Sequence, residues 1–434
     1  MSRKVLAVFV GVAAAAIALP ATSAMASTPT LYVSPGASNV ADSSCSTAGY
    51  GTIQSAVNAA APGDKIVVCA GTYPEQVTIT TSNLTLAGQG IAVIQPTSAS
   101  VNASDLDSGQ PIVSIVAVES PAIGAHFSNL TIDGSAIESS VDGCSDDLVG
   151  LLYQASAGTA TASVAHVTVE NVTPMNSGCG SGQGILVQGG TSGSAKVTAT
   201  VSNNSISGYG KNGITCGDVG VKCNITTNTI TTSPTDVVAQ NGVQVGFGAA
   251  GTVSGNTISG NYWTAYASDT NVQPESDYGA GVLLYAAGIN AAGATTLSTT
   301  VKANHLTNNQ IGVEVVDSAA AVTGNTILES SPGIADSIGV YGVGCDAYCG
   351  YFNDNDGAAL NTVAASNQAV SVSNNTINFA SPAPARSYGI WLGDDAWSAG
   401  GGDYGPAGTE KVSVTNPGIH NVAHLLVIDA GATF

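Results

Sequence analysis

The chain has 434 residues, only 9% of them charged, and its 29 acidic against 9 basic side chains give a formal net charge of −20. A surface of that sign repels nucleic acid and anionic membranes, so neither is expected as a partner. It also leaves few cations to hold a polyanionic substrate unless a metal bridges the two.

Met1 to Ala26 has the parts of a secretory leader: Arg3 and Lys4, an apolar run from Val5 to Leu19, and Ala24-Met25-Ala26 as a small-residue cleavage site. A membrane anchor is the alternative, but the run is short and ends at Pro20. Cleavage after Ala26 would export a soluble protein, and residues 27–434 are expected to form one domain. The eight cysteines suit an oxidising compartment. As near neighbours they pair Cys45/Cys69, Cys144/Cys179, Cys216/Cys223 and Cys345/Cys349, although eight cysteines allow 105 pairings. No Cys-x-x-Cys motif or Cys/His cluster points to a metal.

Thr52 to Ala60 has helical spacing, with Ile53, Val57 and Ala60 on one face behind a capping Thr52. Pro62-Gly63-Asp64 ends it, and Lys65 to Cys69 starts the strands. A helix there would cap the open end of a strand stack. Thr52-Ile53-Gln54, Gly63-Asp64, Gly71-Thr72-Tyr73 and Glu75 together resemble the N-terminal segment of the pectin-lyase-like superfamily. The resemblance implies a right-handed parallel β-helix. It implies no single activity, since that superfamily includes lyases, hydrolases, esterases, epimerases, tail spikes and adhesins. Gly71 to Glu75 is similar to the first motif of pectin methylesterases, whose other motifs are absent; Tyr73 and Glu75 are therefore read as turn packing and a solvated strand end.

Downstream, two phrases alternate. An Asn-x-Ile type phrase recurs at Asn83, Asn129, Asn171, Asn204, Asn228, Asn256, Asn304, Asn325, Asn375 and, degraded, Asn416. A Gly-Ile/Val phrase falls between, at Gly150, Gly184, Gly213, Gly242, Gly281, Gly312, Gly339 and Gly389. Both have the period of half-buried strands, and repeats of this length mark a stacked fold. Roughly ten coils at the strand spacing would make a rod on the order of 48 Å long. Asn and Thr side chains can stack in ladders along such a rod. His126 and His166 are read as exposed strand side chains, with a stacked pair as the alternative; Asp142, Asp146 and Asp147 are read as a solvated loop.

Three insertions interrupt the repeat: Asn261 to Ala280, Gly344 to Gly357 and Leu392 to Gly408. The last two follow Gly phrases in successive coils and should emerge side by side, the first from the opposite bend. They carry Trp263, Trp391, Trp397, Tyr348, Tyr351 and Tyr404, interleaved with Asp354, Asp356, Asp394 and Asp395. Aromatic faces stack on sugar rings, and a pair of carboxylates is what glycosidic hydrolysis needs. Those aromatics are the expected platforms and those four aspartates the expected catalytic acids and bases. Gly393-Asp394-Asp395 is similar to the Gly-Asp-Asp of polygalacturonase-like glycosidases, whose companion motifs are absent. No complete cofactor motif is present; calcium is the one ion suggested, by the partial oxygen-ligand loop Asn353 to Gly357. Two readings follow: an exported protein that binds or cleaves extracellular polysaccharide, a hydrolase before a lyase, or a non-catalytic adhesive rod.

Overall fold

The computed structural model describes residues 29–119, 124–190, 194–233, 237–263, 279–288, 297–316, 318–329, 337–344, 369–379, 381, 387–394, 411–415 and 418–428. The expected leader lies outside them. Each coil gives two strands to a 21-stranded sheet, called sheet A, and one to a 12-stranded sheet, called sheet B. Eleven strands of sheet B run parallel in chain order; the twelfth, Ala103–Ser104, is a short antiparallel addition. Ten intervals at about 4.8 Å give a stack about 48 Å deep. The fold is the right-handed parallel β-helix implied by the N-terminal motif.

One coil shows why the sequence folds this way. Ala195–Ser202 and Ser205–Tyr209 belong to sheet A and Asn212–Gly217 to sheet B; the first alternates buried and exposed residues, and the last is buried throughout. Stacking sets like upon like: Val201 lies on Ile225, then Val253, Val301, Val322 and Val372. Ile206 begins a second column through Ile230, Ile258, Leu306, Ile327 and Ile377. Nearly all these side chains are β-branched, suited to a pleated surface, and each fully buried one contributes about 1.5–3 kcal/mol of transfer free energy.

The helix α1, Ile53–Ala59, closes the N-terminal end. Its Ile53, Ala56 and Val57 join the core, while Ala60 serves as the C-cap. Thr52 Oγ1 accepts from Ser55 N, and the Glu75 carboxylate accepts from Ile53 N at 2.7 Å and Gln54 N at 3.0 Å. Glu75 is therefore not a solvated strand end; it receives the free amides of the first helical turn. Gln54 exchanges two hydrogen bonds with the Thr78 backbone, and the buried Tyr73 hydroxyl lies 2.8 Å from Cys69 O. The motif thus encodes the joint between cap and first coil.

The asparagine phrases divide into distinct classes. Asn204, Asn228, Asn256, Asn304, Asn325 and Asn375 are buried and form a ladder, each Nδ2 donating at 2.9 Å to the next Oδ1. Asn129 instead occupies a left-handed turn position, shared in later coils by His166, Asn203 and Thr227. Asn171 is a second left-handed position, opposite the left-handed Gly208 of the next coil. His126 bonds Ser163 through Nδ1 at 2.8 Å, so the two histidines do not stack.

The glycine phrase has one cause. A Cβ on Gly213 would sit 2.6 Å from Gly242 O, and Gly184 and Gly242 meet the same obstacle against the coil that follows each. This column of backbone is packed too closely for any side chain. The disulfides Cys45–Cys69, Cys144–Cys179 and Cys216–Cys223 form as expected, and Cys345 and Cys349 lie outside the described residues. Among the described residues no helix is long and apolar enough to cross a membrane.

Candidate functional site

The outer face of sheet B brings a run of polar side chains together. In the glycine phrases from Gly150 to Gly312 the residues one and three places after Gly turn inward, as Val313 and Val315 do. The residue two places after Gly then lies on the outer face, because side chains alternate along a strand. The register strings these outer residues into a row. It begins with Ala117, Leu152 and Leu186, continues through Thr215 and Gln244, and reaches Leu283 and Glu314. Tyr341 and Trp391 occupy the next two positions.

The apolar start of the row is covered. Ile112, Ala117, Val149, Leu152 and Leu186 form a cluster of their own, with Ala103 packed against it. Ala103–Ser104 and the turn that follows make a strap across several coils. Gln154 Nε2 donates to Ser104 O at 2.8 Å, and Gln188 Nε2 donates to Asp105 Oδ2 at 2.6 Å. The strap tip is latched to the turn at Asp218: Asp107 and Asp218 are hydrogen-bonded side chain to side chain, and Asp218 Oδ2 also accepts from Gly189 N and Gly190 N. Two carboxyls bonded to each other hold a proton between them.

Burial, the bond to Asp107 and the charge of Asp107 push the Asp218 carboxyl up to about 9, from an ordinary 3.8. The folded chain thus keeps a proton that the unfolded chain releases near pH 4. The stabilisation is complete below pH 3.8, is withdrawn as pH rises, and is gone above about 9. The melting temperature is accordingly expected to fall between pH 5 and 9. Asp218→Asn, which keeps an acceptor for the glycine amides and gains a donor for Asp107, should flatten that fall. Identical slopes for the two proteins would contradict the latch.

Beyond the strap the outer face becomes polar. Gln183 Nε2 donates to Asp147 Oδ2 at 2.7 Å, and Thr215 Oγ1 donates to Gln183 Oε1 at 2.6 Å. Asn212 Nδ2 lies 3.1 Å from Thr215 Oγ1 and 2.9 Å from Gln244 Oε1, and Asn241 Nδ2 donates to Asn212 Oδ1 at 3.0 Å. These bonds link four consecutive coils. Asp147 at the head of the chain is not solvated as the sequence suggested; it accepts from Ser181 Oγ and Gly182 N, and burial raises its carboxyl. Glu314 then stands on the same face, only 3% exposed. It is the one acid in the row, and a buried acid on the outer face of a rod is a candidate for proton transfer.

The residues singled out from the sequence are placed as follows. Trp391 and Asp394 lie in the strand Ser387–Asp394, and Gly344 pairs with Asp394, so the second and third insertions do leave the rod side by side. Trp263 is half-buried at the start of the first insertion, its N–H donating to Gln310 Oε1 at 3.3 Å, and its neighbour Tyr262 is buried. Asp354, Asp356, Asp395, Tyr348, Tyr351, Trp397 and Tyr404 lie outside the described residues. Among the described residues no three His, Cys, Asp or Glu side chains converge as metal ligands would. Glu314, Asp147 and the Asp107/Asp218 pair were not anticipated. For Glu314 a signal exists: it is the one acid found two places after Gly in the eight glycine phrases.

No protein-family model and no curated protein matches the chain. A GH136 lacto-N-biosidase from Eubacterium ramulus is similar in structure, with 12% identity, 90% of this chain and 67% of that one covered, and a TM-score of 0.55. The A-module of the mannuronan C-5 epimerase AlgE4 from Azotobacter vinelandii is 16% identical over 88% of this chain and 94% of its own, with a TM-score of 0.49. Pectin methylesterase PemA from Erwinia chrysanthemi is 12% identical over 89% and 94%, with a TM-score of 0.32. The likeness is one of fold, that of a right-handed parallel β-helix.

Proposed function

We propose that this is an exported protein that binds and cleaves extracellular glycan on the outer face of sheet B, with Glu314 at the centre of the site. The observation that carries the reading is the row itself: a buried carboxylate on the outer face is separated by Leu283 from the amide and hydroxyl of Gln244 and Thr215, and Tyr341 and Trp391 take the two register positions that follow it. Amides and hydroxyls match sugar hydroxyls as both donors and acceptors. An aromatic ring about two strand spacings from Glu314, or about 9.6 Å, could hold a sugar unit next to the one being cleaved.

In this reading Glu314 gives its proton to the glycosidic oxygen as the bond to the anomeric carbon breaks, and water adds to that carbon while its proton restores the acid. Asp394, at the end of the same strand as Trp391, with Asp395 beside it, supplies the second carboxylate that the reaction needs. Asp354 and Asp356 belong to the neighbouring insertion, where calcium could bridge an acidic chain to an acidic protein. The solved lacto-N-biosidase supports a glycan-directed role on this fold. With so few basic side chains, cleavage by hydrolysis is favoured over elimination from uronates. Export rests on the Met1–Ala26 leader and agrees with the three disulfides.

The test is a reducing-sugar and mass-spectrometric screen of the mature protein against neutral and acidic polysaccharides, with and without calcium. Release of defined oligosaccharides is the expected result. No product together with no retention on any glycan column would overturn the proposal and leave a structural rod.

A further inference from the structure

We propose that the bend opposite the strap carries a second, neutral saccharide site: a hydroxyl-lined groove on three consecutive coils that binds one end of an uncharged glycan. The groove has a volume of roughly 350 Å³, near the lower end of the ~300–1,000 Å³ typical of small-molecule sites. It is built where the second strand column of sheet A turns into sheet B. Thr173 and Ser177 come from one coil, Ser207 to Gly210 from the next, and Thr231 to Ser233 with Gln240 from the third. Gly208 has φ +63°, and a Cβ there would crowd the Asn171 backbone at 3.2 Å, so the chain keeps this wall of the groove low.

The lining has a definite chemistry. Among the described residues no charged side chain lines the groove, while Thr173, Ser177, Ser207, Thr231, Thr232 and Ser233 supply hydroxyls. The Tyr209 side chain is buried in the core behind this wall, its hydroxyl donating to Asn261 Oδ1 at 2.6 Å. Gln240 is the anchor. Its Nε2 is held by Tyr209 O at 2.9 Å and Thr232 Oγ1 at 3.2 Å, fixing the amide. Its Oε1 is buried and has no hydrogen-bond partner, and the residue is only 4% exposed. A buried acceptor left unmatched costs about 1–3 kcal/mol, so a group that donates to it is worth binding.

The ligand must therefore bring a donor to Gln240 Oε1 and both donors and acceptors to the surrounding hydroxyls, without negative charge. A phosphate or uronate would meet an acceptor and find no cation. A neutral pyranose satisfies these terms, with several hydroxyls along one edge that both donate and accept. This site stands apart from the Glu314 row and does not depend on catalysis there. If both operate, a chain held in the groove would raise the local concentration of its remaining length at the rod surface.

The experiment is titration calorimetry or ligand-observed NMR on the mature protein with cellobiose, lactose and maltose, and with digalacturonate as the charged counterpart. Saturable binding of at least one neutral disaccharide, with none of digalacturonate, is expected. Ser233→Trp places a ring in the groove from an exposed position and should abolish that binding, and Gln240→Met should weaken it at least about tenfold. Thermal melts confirm that each variant is folded, and Glu314→Gln should bind as the wild type does at this site. Absence of neutral disaccharide binding, or binding that survives Ser233→Trp in the folded protein, overturns the proposal.

Discussion

Asn256→Ala is expected to destabilise the rod by about 4 kcal/mol or more, far beyond what one surface side chain contributes. Asn256 sits in the middle of the ladder, fully buried. Its Nδ2 donates to Ile225 O at 3.0 Å and to Asn304 Oδ1 at 2.9 Å. Its Oδ1 accepts from both Asn228 N and Asn228 Nδ2 at 2.9 Å. Truncation to Ala removes these four bonds and strands Ile225 O and two donors of Asn228 in an interior with no water to replace them. Each stranded group costs about 1–3 kcal/mol, and the losses fall on adjacent coils that a solenoid needs in series. Asn203→Gly is the matched control. Asn203 is exposed and holds a left-handed turn at φ +56°, a conformation that Gly adopts freely, so its substitution should stay within about 0.5 kcal/mol. Urea unfolding of the two variants beside the wild type checks both. A loss below about 1 kcal/mol for Asn256→Ala would mean that the ladder is dispensable.

That contrast also shows what could be read from the sequence. The repeat was legible because stacking forces the same residue type into the same column: Ile206, Ile230 and Ile258 recur since each must fill the slot above the last. The capping helix was legible from Thr52 and the spacing of Ile53 and Val57, and three disulfides from proximity along the chain. Position within the turn was not. Asn203 and Asn204 are adjacent, one exposed and left-handed, the other bonded on several sides, and only coil-to-coil register separates them. The strap was hidden for a similar reason. Its contacts with Gln188 join residues 82 and 83 positions apart, a distance over which no local pattern operates. The site fell between these cases. Aromatic and acidic insertions stand out by composition, which drew attention to Asp394 and Trp391. Glu314 lies in a plain strand, and its meaning depends on the row that register builds through Leu283, Tyr341 and Trp391.

If Glu314 transfers the proton, Glu314→Gln should lower kcat by about 10²–10⁴-fold while KM stays within a few fold. Gln keeps the size of the side chain and most of its hydrogen-bonding capacity, but it cannot donate or accept a proton at the pH of the assay. Substrate held by the row and by the aromatic positions would still bind. Thermal melts of the variant beside the wild type read any effect on stability separately from the effect on kcat. This combination separates catalysis from structure. A glutamate kept only for packing would show unchanged kcat, and one kept for an ion pair would show a clear loss of stability when neutralised. Trp391→Ala should give the complementary pattern, a raised KM with a smaller change in kcat, if the ring positions a sugar rather than reacting with it. Asp394→Asn should match Glu314→Gln in kcat, since loss of either member of a carboxylate pair stops the same step. Activity within about threefold of wild type for Glu314→Gln would remove the glutamate from the chemistry. A collapse confined to Asp394→Asn would move the reaction from the face of sheet B to the insertions beside it.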